Sequence, residues 1–118
     1  MTGDTPALVL DQLAESGEQS DRRFADSLLR HRVRQGYGLH RILAELRQRG
    51  IDDALVDASG YDWDVVLEET HRKKYGARRP VSAAERASRH RFLLQRGFSG
   101  EQIQHLFRRL YGQPDGFD

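Results

Sequence analysis

The sequence predicts an all-α fold built from tandem three-helix repeats. Glycines fall between the apolar-periodic segments, and no segment alternates apolar and polar residues as a strand would. In addition, residues 46–51 (LRQRGI) match residues 93–98 (LLQRGF) at an offset of 47 residues. Stacked repeats share their cores with their neighbours, and we therefore expect an elongated body.

The N-terminal residues 1–19 are predicted to be the remnant of an earlier repeat. They hold one helix, of about residues 5–17, which Gly17 is expected to end because glycine readily adopts a left-handed conformation. Ser20 would then cap the next helix, since its side-chain oxygen accepts from free backbone N–H groups.

The first complete repeat is predicted at residues 20–60. A helix of about residues 21–35 precedes one of about residues 38–49, whose left-handed stop is Gly50. A short helix capped by Asp52 completes this repeat.

The second complete repeat is predicted at residues 61–111, before a flexible tail of residues 112–118. Its first helix covers about residues 63–75. The next two helices each begin at a capping box, in which a serine and a Glu or Gln three residues later satisfy each other's backbone donors. These boxes are Ser82 with Glu85 and Ser99 with Gln102.

Composition limits the possible functions. The 118-residue chain has no cysteine, which excludes disulfides and thiolate metal sites and favours a reducing compartment. It has no apolar run long enough to span a membrane and no secretory signal, so we expect a cytoplasmic protein that does not contact membranes. The five histidines lack metal-site spacing, and we place them at the surface or at helix ends.

The charge is segregated although the net charge is only +1. Residues 22–49 contain eight arginines and two acids, and residues 70–96 contain nine Lys and Arg residues and one acid. Between them, residues 50–69 contain seven acids and no base. Basic segments of this kind favour binding to a phosphate backbone. The alternative is that basic and acidic segments neutralise each other within the fold.

The candidate nucleic-acid or filament-binding residues are the cations predicted on exposed helix faces of the two basic segments. Arginine suits this role because its planar fork binds two phosphate oxygens at once. The candidates are Arg23, Arg30, Arg34, Arg41, Arg49, Arg72, Lys73, Lys74, Arg89 and Arg96.

Catalysis is not predicted. The acids lie at caps and helix starts, and no nucleophile lies in a pattern with a base. The segment Gly36-Tyr37-Gly38 lacks the preceding strand and following Lys-Ser/Thr of a nucleotide-binding loop. We interpret it as a tight turn with a packing tyrosine, and we predict no metal, no cofactor and no enzymatic activity.

Seven segments of the sequence carry a resemblance to a known family. They are residues 20–25 (SDRRFA), 32–42 (RVRQGYGLHRI), 45–51 (ELRQRGI), 61–63 (YDW), 72–76 (RKKYG), 91–98 (RFLLQRGF) and 101–103 (EQI). In this order and at this spacing they resemble the RecX family of recombination regulators, and the resemblance covers about residues 9–110.

The resemblance implies a curved array of three-helix repeats that binds in the groove of the RecA filament on single-stranded DNA. It implies inhibition of ATP hydrolysis, strand exchange and the co-protease activity behind the SOS response. It implies no cofactor, because the partner hydrolyses the ATP, and we expect a monomer. Family members usually have a complete first repeat, whereas this chain shows only the end of one.

Two other classes of function fit the sequence less well. A stand-alone helical DNA-binding module would bind without sequence preference, because the arginines are dispersed and no dimer seam is evident. A nuclease would need carboxylates clustered on one face to hold two metal ions.

Overall fold

The structure, a computed structural model, describes residues 5–113, with side chains from residue 17 onward. Within this range every regular element is helical, which confirms the predicted fold class. Most of the predicted tail, residues 114–118, lies outside the described residues. The elements are α1 (Thr5–Arg34), α2 (Leu39–Gln48), a short 3₁₀ helix η1 (Asp53–Leu55), α3 (Trp63–Tyr75), α4 (Ala83–Gln95) and α5 (Gly100–Tyr111).

Helix α1 is continuous where the sequence predicts two helices. Gly17 lies inside it, and its backbone is not left-handed. Ser20 does not cap a helix, and its hydroxyl instead accepts from the Arg23 guanidinium at 3.4 Å. Both predictions are wrong because an interior glycine costs only about 1 kcal/mol relative to alanine. The helical hydrogen bonds on either side outweigh that cost.

The first unit consists of the C-terminal half of α1, helix α2 and η1, which pack against one another. Its core comprises Ala25, Leu29, Ile42, Leu46 and Ile51, each at most 5% exposed. These positions recur at helical spacing along α1 and α2, as expected for an apolar stripe that faces a shared core.

The second unit consists of α3, α4 and α5, and its core comprises Leu67, Leu93, Phe98, Ile103, Leu106 and Phe107. The capping box predicted at Ser99 and Gln102 is present in full. At Ser82 only half of the box forms: Ser82 accepts from the Glu85 N–H, but the Glu85 carboxylate accepts from the Val81 N–H. This places the second bond one residue before the predicted donor.

The molecule is elongated, as the sequence predicts. Its principal extents are 81 × 20 × 19 Å and its radius of gyration is 20.3 Å. A compact domain of this length would have a radius of gyration of only about 13 Å. The long axis leaves a large surface along which basic residues of both units are presented.

The two units meet where the turn after α1 approaches the turn after α4. The Gly38 N–H donates to the Arg96 carbonyl at 2.7 Å, and the His40 N–H donates to the Gly97 carbonyl at 3.1 Å. A Cβ atom on Gly38 would lie 2.5 Å from the Gly97 carbonyl oxygen, and one on Gly97 would lie 2.5 Å from the Arg41 Cβ. We call this contact the junction. Its backbone approach requires glycine on both sides.

The repeat offset supplies a matched pair of glycines for testing the junction. Gly50 and Gly97 both have positive φ, at 80° and 104°, so alanine is strained at either position. A Cβ on Gly50 would meet nothing within 4 Å. We expect Gly50→Ala to lower the free energy of unfolding by about 1 kcal/mol. Gly97→Ala should lower it by about 3 kcal/mol, because the junction must also shift.

Urea titration of the two variants measures this difference. Equal losses of stability in Gly50→Ala and Gly97→Ala would contradict the described junction, because both variants would then carry the backbone strain alone.

Candidate nucleic-acid interface

The candidate cations divide clearly by exposure. Nine of the ten have accessible side chains, and Arg89 is buried at 1% exposure. Eight are exposed and Arg96 is half-buried. The exposed residues are Arg23, Arg30, Arg34, Arg41, Arg49, Arg72, Lys73 and Lys74.

The junction brings cations of the two basic segments together. Arg41, on α2 of the first unit, donates from Nη1 to the Gln95 carbonyl at 3.0 Å. Arg96, at the end of α4, donates from Nη1 to the Gln35 carbonyl at 3.2 Å in the opposite direction. These two residues are 55 positions apart in sequence, so their proximity is a product of the fold.

Aromatic rings hold the junction cations in place. The guanidinium carbons of Arg41 and Arg96 each lie 4.6 Å from the centroid of the Tyr37 ring. The Phe92 ring carries the Lys74 ammonium at 4.3 Å and the Arg96 guanidinium at 5.1 Å. A cation over a ring gains about 0.5–1 kcal/mol at an exposed site and keeps its charge. The rings therefore order the cations without neutralising them.

Tyr37 and Phe92 were not among the predicted site residues. The sequence correctly predicts that Tyr37 lies in a tight turn. Its two glycine neighbours are the only feature of the sequence that indicates this position for the ring. Phe92 gave no signal beyond ordinary helix packing, since its contact with Lys74 joins different helices.

Ion pairing inside the fold involves a different set of cations. Among the described residues, ion pairs join Arg32 to Glu45, Arg47 to Asp53, Arg89 to Glu85 and Arg109 to Glu68. The Arg32 guanidinium holds the pKa of the Glu45 carboxyl below its ordinary value. For these four arginines, the alternative that basic and acidic segments neutralise each other within the fold therefore holds. The nine accessible candidates form no ion pair with a carboxylate in the part of the chain that the structure describes.

Sequence comparisons identify the family of this two-unit arrangement. Family models for the second and third three-helix domains of RecX match residues 20–59 and 62–107. The chain belongs to the RecX family. It is 48% identical over 104 residues to the regulatory protein RecX of Ectopseudomonas mendocina, covering 84% of this chain and 69% of that protein.

A second relative extends this comparison. The regulatory protein RecX of Pseudomonas fluorescens is 44% identical over 101 residues, which cover 82% of this chain and 65% of that relative. The chain therefore spans about two thirds of the length of these RecX proteins.

The basic triplet of this RecX-family chain, Arg72-Lys73-Lys74, does not form a single patch. Lys73 and Lys74 line a cavity at the junction. Arg72 lines a separate groove beside α3 and α5, together with Glu68 and Glu69. On the helix, Arg72 lies about 100° from Lys73 and about 160° from Lys74, which places it on a different surface. Arg72 remains a candidate, but in a less basic environment than its two neighbours.

Arg89 is a structural residue, which corrects its prediction as a binding residue. Its guanidinium donates to the Arg78 carbonyl at 2.8 Å, the Tyr111 hydroxyl at 3.0 Å and the Glu85 carboxylate at 2.9 Å. Its Nε atom has no hydrogen-bond partner among the described residues. Leu93, one helical turn later, is fully buried, and this i, i+4 relation was the available sign that Arg89 faces the core.

His71 is also buried, at 3% exposure, which corrects the expectation that the histidines lie at the surface or at helix ends. Its Nε2 is hydrogen-bonded to the Tyr111 hydroxyl. Burial and the nearby Arg89 guanidinium lower the pKa of His71 to about 4. The imidazole therefore stays neutral at physiological pH.

The described residues contain no group of three or more His, Cys, Asp or Glu side chains arranged to hold a metal ion. No helix in the described part of the chain is both long enough and apolar enough to cross a membrane.

The Arg89 network predicts a large effect on stability. Arg89→Ala removes one hydrogen-bond partner each from Glu85, the Tyr111 hydroxyl and the Arg78 carbonyl, and it opens a cavity in the second unit. We expect the free energy of unfolding to fall by about 3 kcal/mol, at the lower end for broken buried pairs because Glu85 is partly exposed. Arg91→Ala, at an exposed position on the same helix, should change it by less than about 0.5 kcal/mol. Chemical denaturation checks both values, and a neutral Arg89→Ala would refute the buried network.

The His71 pKa predicts the direction of a pH dependence. The folded value of about 4 lies below the ordinary value of 6.5, so the unfolded chain binds this proton more readily. The contribution of neutral His71 to the free energy of unfolding is therefore complete above about pH 6.5 and is lost as the pH falls toward 4. Between about pH 7.5 and pH 5, the free energy of unfolding should fall by about 2 kcal/mol.

The His71 prediction is checked by measuring the free energy of unfolding across that pH range. His71→Gln, which cannot take up the proton, should flatten the dependence. His105→Gln removes an exposed histidine instead and serves as the control. A wild-type slope that persists in His71→Gln would contradict the assignment to His71.

Proposed function

We propose that this chain binds the RecA filament on single-stranded DNA and inhibits the activities of RecA: ATP hydrolysis, strand exchange and co-protease function. It acts by binding, as a cytoplasmic monomer without a cofactor, and thereby restrains recombination and the SOS response. Membership of the RecX family supports a regulatory role, and the family resemblance supplies the partner.

The observation that carries the proposal is the accessible set of cations that form no ion pair with a carboxylate of the described residues. Arg23, Arg30 and Arg34 extend along α1, while the junction adds Arg41, Lys74 and Arg96. Cations dispersed over both units of an elongated body suit contacts with a polyanion at many points. They do not suit a recognition helix that reads a few base edges.

A second candidate function is DNA binding without regulation of RecA. The same cations support a stand-alone module that binds DNA without sequence preference and has no effect on RecA. The two proposals differ in whether RecA activity responds to the chain.

The deciding experiment is ATP hydrolysis by RecA on saturating single-stranded DNA, with the chain titrated from far below to above the RecA concentration. We expect inhibition at substoichiometric amounts, because one bound molecule affects the protomers that assemble beyond it. Lys73→Ala/Lys74→Ala should require about ten-fold more protein for the same inhibition, since each lost phosphate contact weakens binding. Arg72→Ala should have a smaller effect, because the Arg72 side chain faces the neighbouring groove.

Full ATP hydrolysis in excess chain, together with salt-sensitive binding to bare DNA, would contradict filament regulation and support the stand-alone module. Equal effects of the Lys73/Lys74 and Arg72 variants would place the filament contact away from the junction.

A further inference from the structure

A cavity of about 290 Å³ lies at the junction of the two units. One side is formed by Gln35 and Gly36 of the first unit, and the other by residues of the second unit. The second-unit residues are Thr70, Lys73, Lys74, Phe92 and Arg96. This volume lies at the lower limit of the usual range for ligand sites, and it leaves room for a phosphodiester group.

The lining of this cavity is strongly cationic. The described residues that line it include Lys73, Lys74 and Arg96 and no carboxylate. By contrast, the groove beside α3 and α5 contains Glu68 and Glu69 along with its arginines. Like charges held close together repel each other, and an anion between them removes that repulsion. The cavity is therefore electrostatically suited to an anion.

The ring contacts decide which part of a nucleic acid the cavity would bind. Single-strand binding proteins usually stack bases on exposed aromatic rings. Here the Phe92 ring is occupied by Lys74 and Arg96, and the Tyr37 ring carries Arg41 and Arg96. The rings thus present cations to the ligand, and cations recognise phosphate without regard to the base.

The first unit also contributes to the order of this site. Arg96 is fixed both by the Tyr37 ring and by its hydrogen bond to the Gln35 carbonyl. The Thr70 hydroxyl donates to the Val66 carbonyl at 2.8 Å and also lies 3.3 Å from the Gly36 carbonyl across the junction. A long cationic side chain that is ordered before binding loses less conformational entropy when its ligand arrives.

We propose that the junction cavity is a phosphate-binding subsite for single-stranded nucleic acid, and that Tyr37 and Phe92 are its positioning residues. Lys73, Lys74 and Arg96 contact the phosphate, while the two rings orient Lys74, Arg96 and the adjacent Arg41. The subsite rests on the proposed function for its biological ligand, but its chemistry is testable without RecA.

The first experiment measures binding of the full chain to fluorescent single-stranded oligonucleotides, by anisotropy over a series of salt concentrations. Lys73→Glu places an acid in the cavity, and we expect it to weaken binding about ten-fold or more. Arg72→Glu makes the same charge change on the adjacent groove, and its loss should be several-fold smaller. Because both residues are exposed, neither variant depends on refolding a core.

The second experiment separates orientation from charge. Tyr37→Leu/Phe92→Leu keeps every cation, so the slope of affinity against salt should stay unchanged while affinity falls about three- to ten-fold. Phe24→Leu removes the ring that lies 4.8 Å from Arg49, outside the cavity, and its loss of affinity should be clearly smaller than that of the double variant. Tyr37→Phe/Phe92→Tyr keeps both rings and should restore binding. Thermal denaturation of each variant establishes that it is folded.

Three outcomes would overturn the subsite: equal losses in Lys73→Glu and Arg72→Glu, wild-type binding by the folded double leucine variant, or a strong preference among oligonucleotide sequences. The RecA assay tests the proposed function separately, and its outcome does not depend on that of the binding experiments. If Lys73→Glu loses DNA binding while the wild type leaves RecA unaffected, the subsite is supported and filament regulation is refuted.

Discussion

The close backbone approach between Gly38 and Gly97 is the constraint on which the arrangement of the two units depends. The turn after α1 can donate its two backbone hydrogen bonds to the turn after α4 only because neither glycine carries a Cβ. The main helix–helix contacts otherwise stay within each unit, although Tyr61 and Trp63, at the start of the second unit, also pack against the core of the first. A small contact thus sets the relative placement of two basic segments that are far apart in sequence. The geometry of the cationic surface follows from this contact.

Local features of the sequence were sufficient to predict most of the helices. Helix α3 has the predicted limits, and the box at Ser99 forms as expected, because caps and glycine stops act within a few residues. The failures have non-local causes. At Gly17 a local stop signal was overridden by the helix around it, and Arg89 and His71 were misplaced because their partners, including Tyr111, lie on other helices.

The sequence was sufficient to predict which segments supply the cations of the candidate interface, but not how those cations are arranged. Charge segregation correctly indicated where accessible cations lie, and it could not distinguish Arg32, which pairs with Glu45, from Arg34, which is exposed. Nor could it show that Lys74 and Arg96 share the Phe92 ring. Such contacts join different helices of one unit, and a residue-by-residue reading of one sequence contains no direct signal for how those helices pack.

Polar side chains serve opposite purposes in the two parts of this molecule. In the second unit, Arg89 donates hydrogen bonds to Glu85, the Tyr111 hydroxyl and a backbone carbonyl. The Glu85 carboxylate balances its charge, and these hydrogen bonds are made within the fold. At the junction, Arg96 is held by a ring and a carbonyl, neither of which cancels its charge. Order without neutralisation is the property that a polyanion-binding surface requires. Cation–π contacts provide it where ion pairs would not, since a carboxylate partner would have to be displaced before a phosphate could bind.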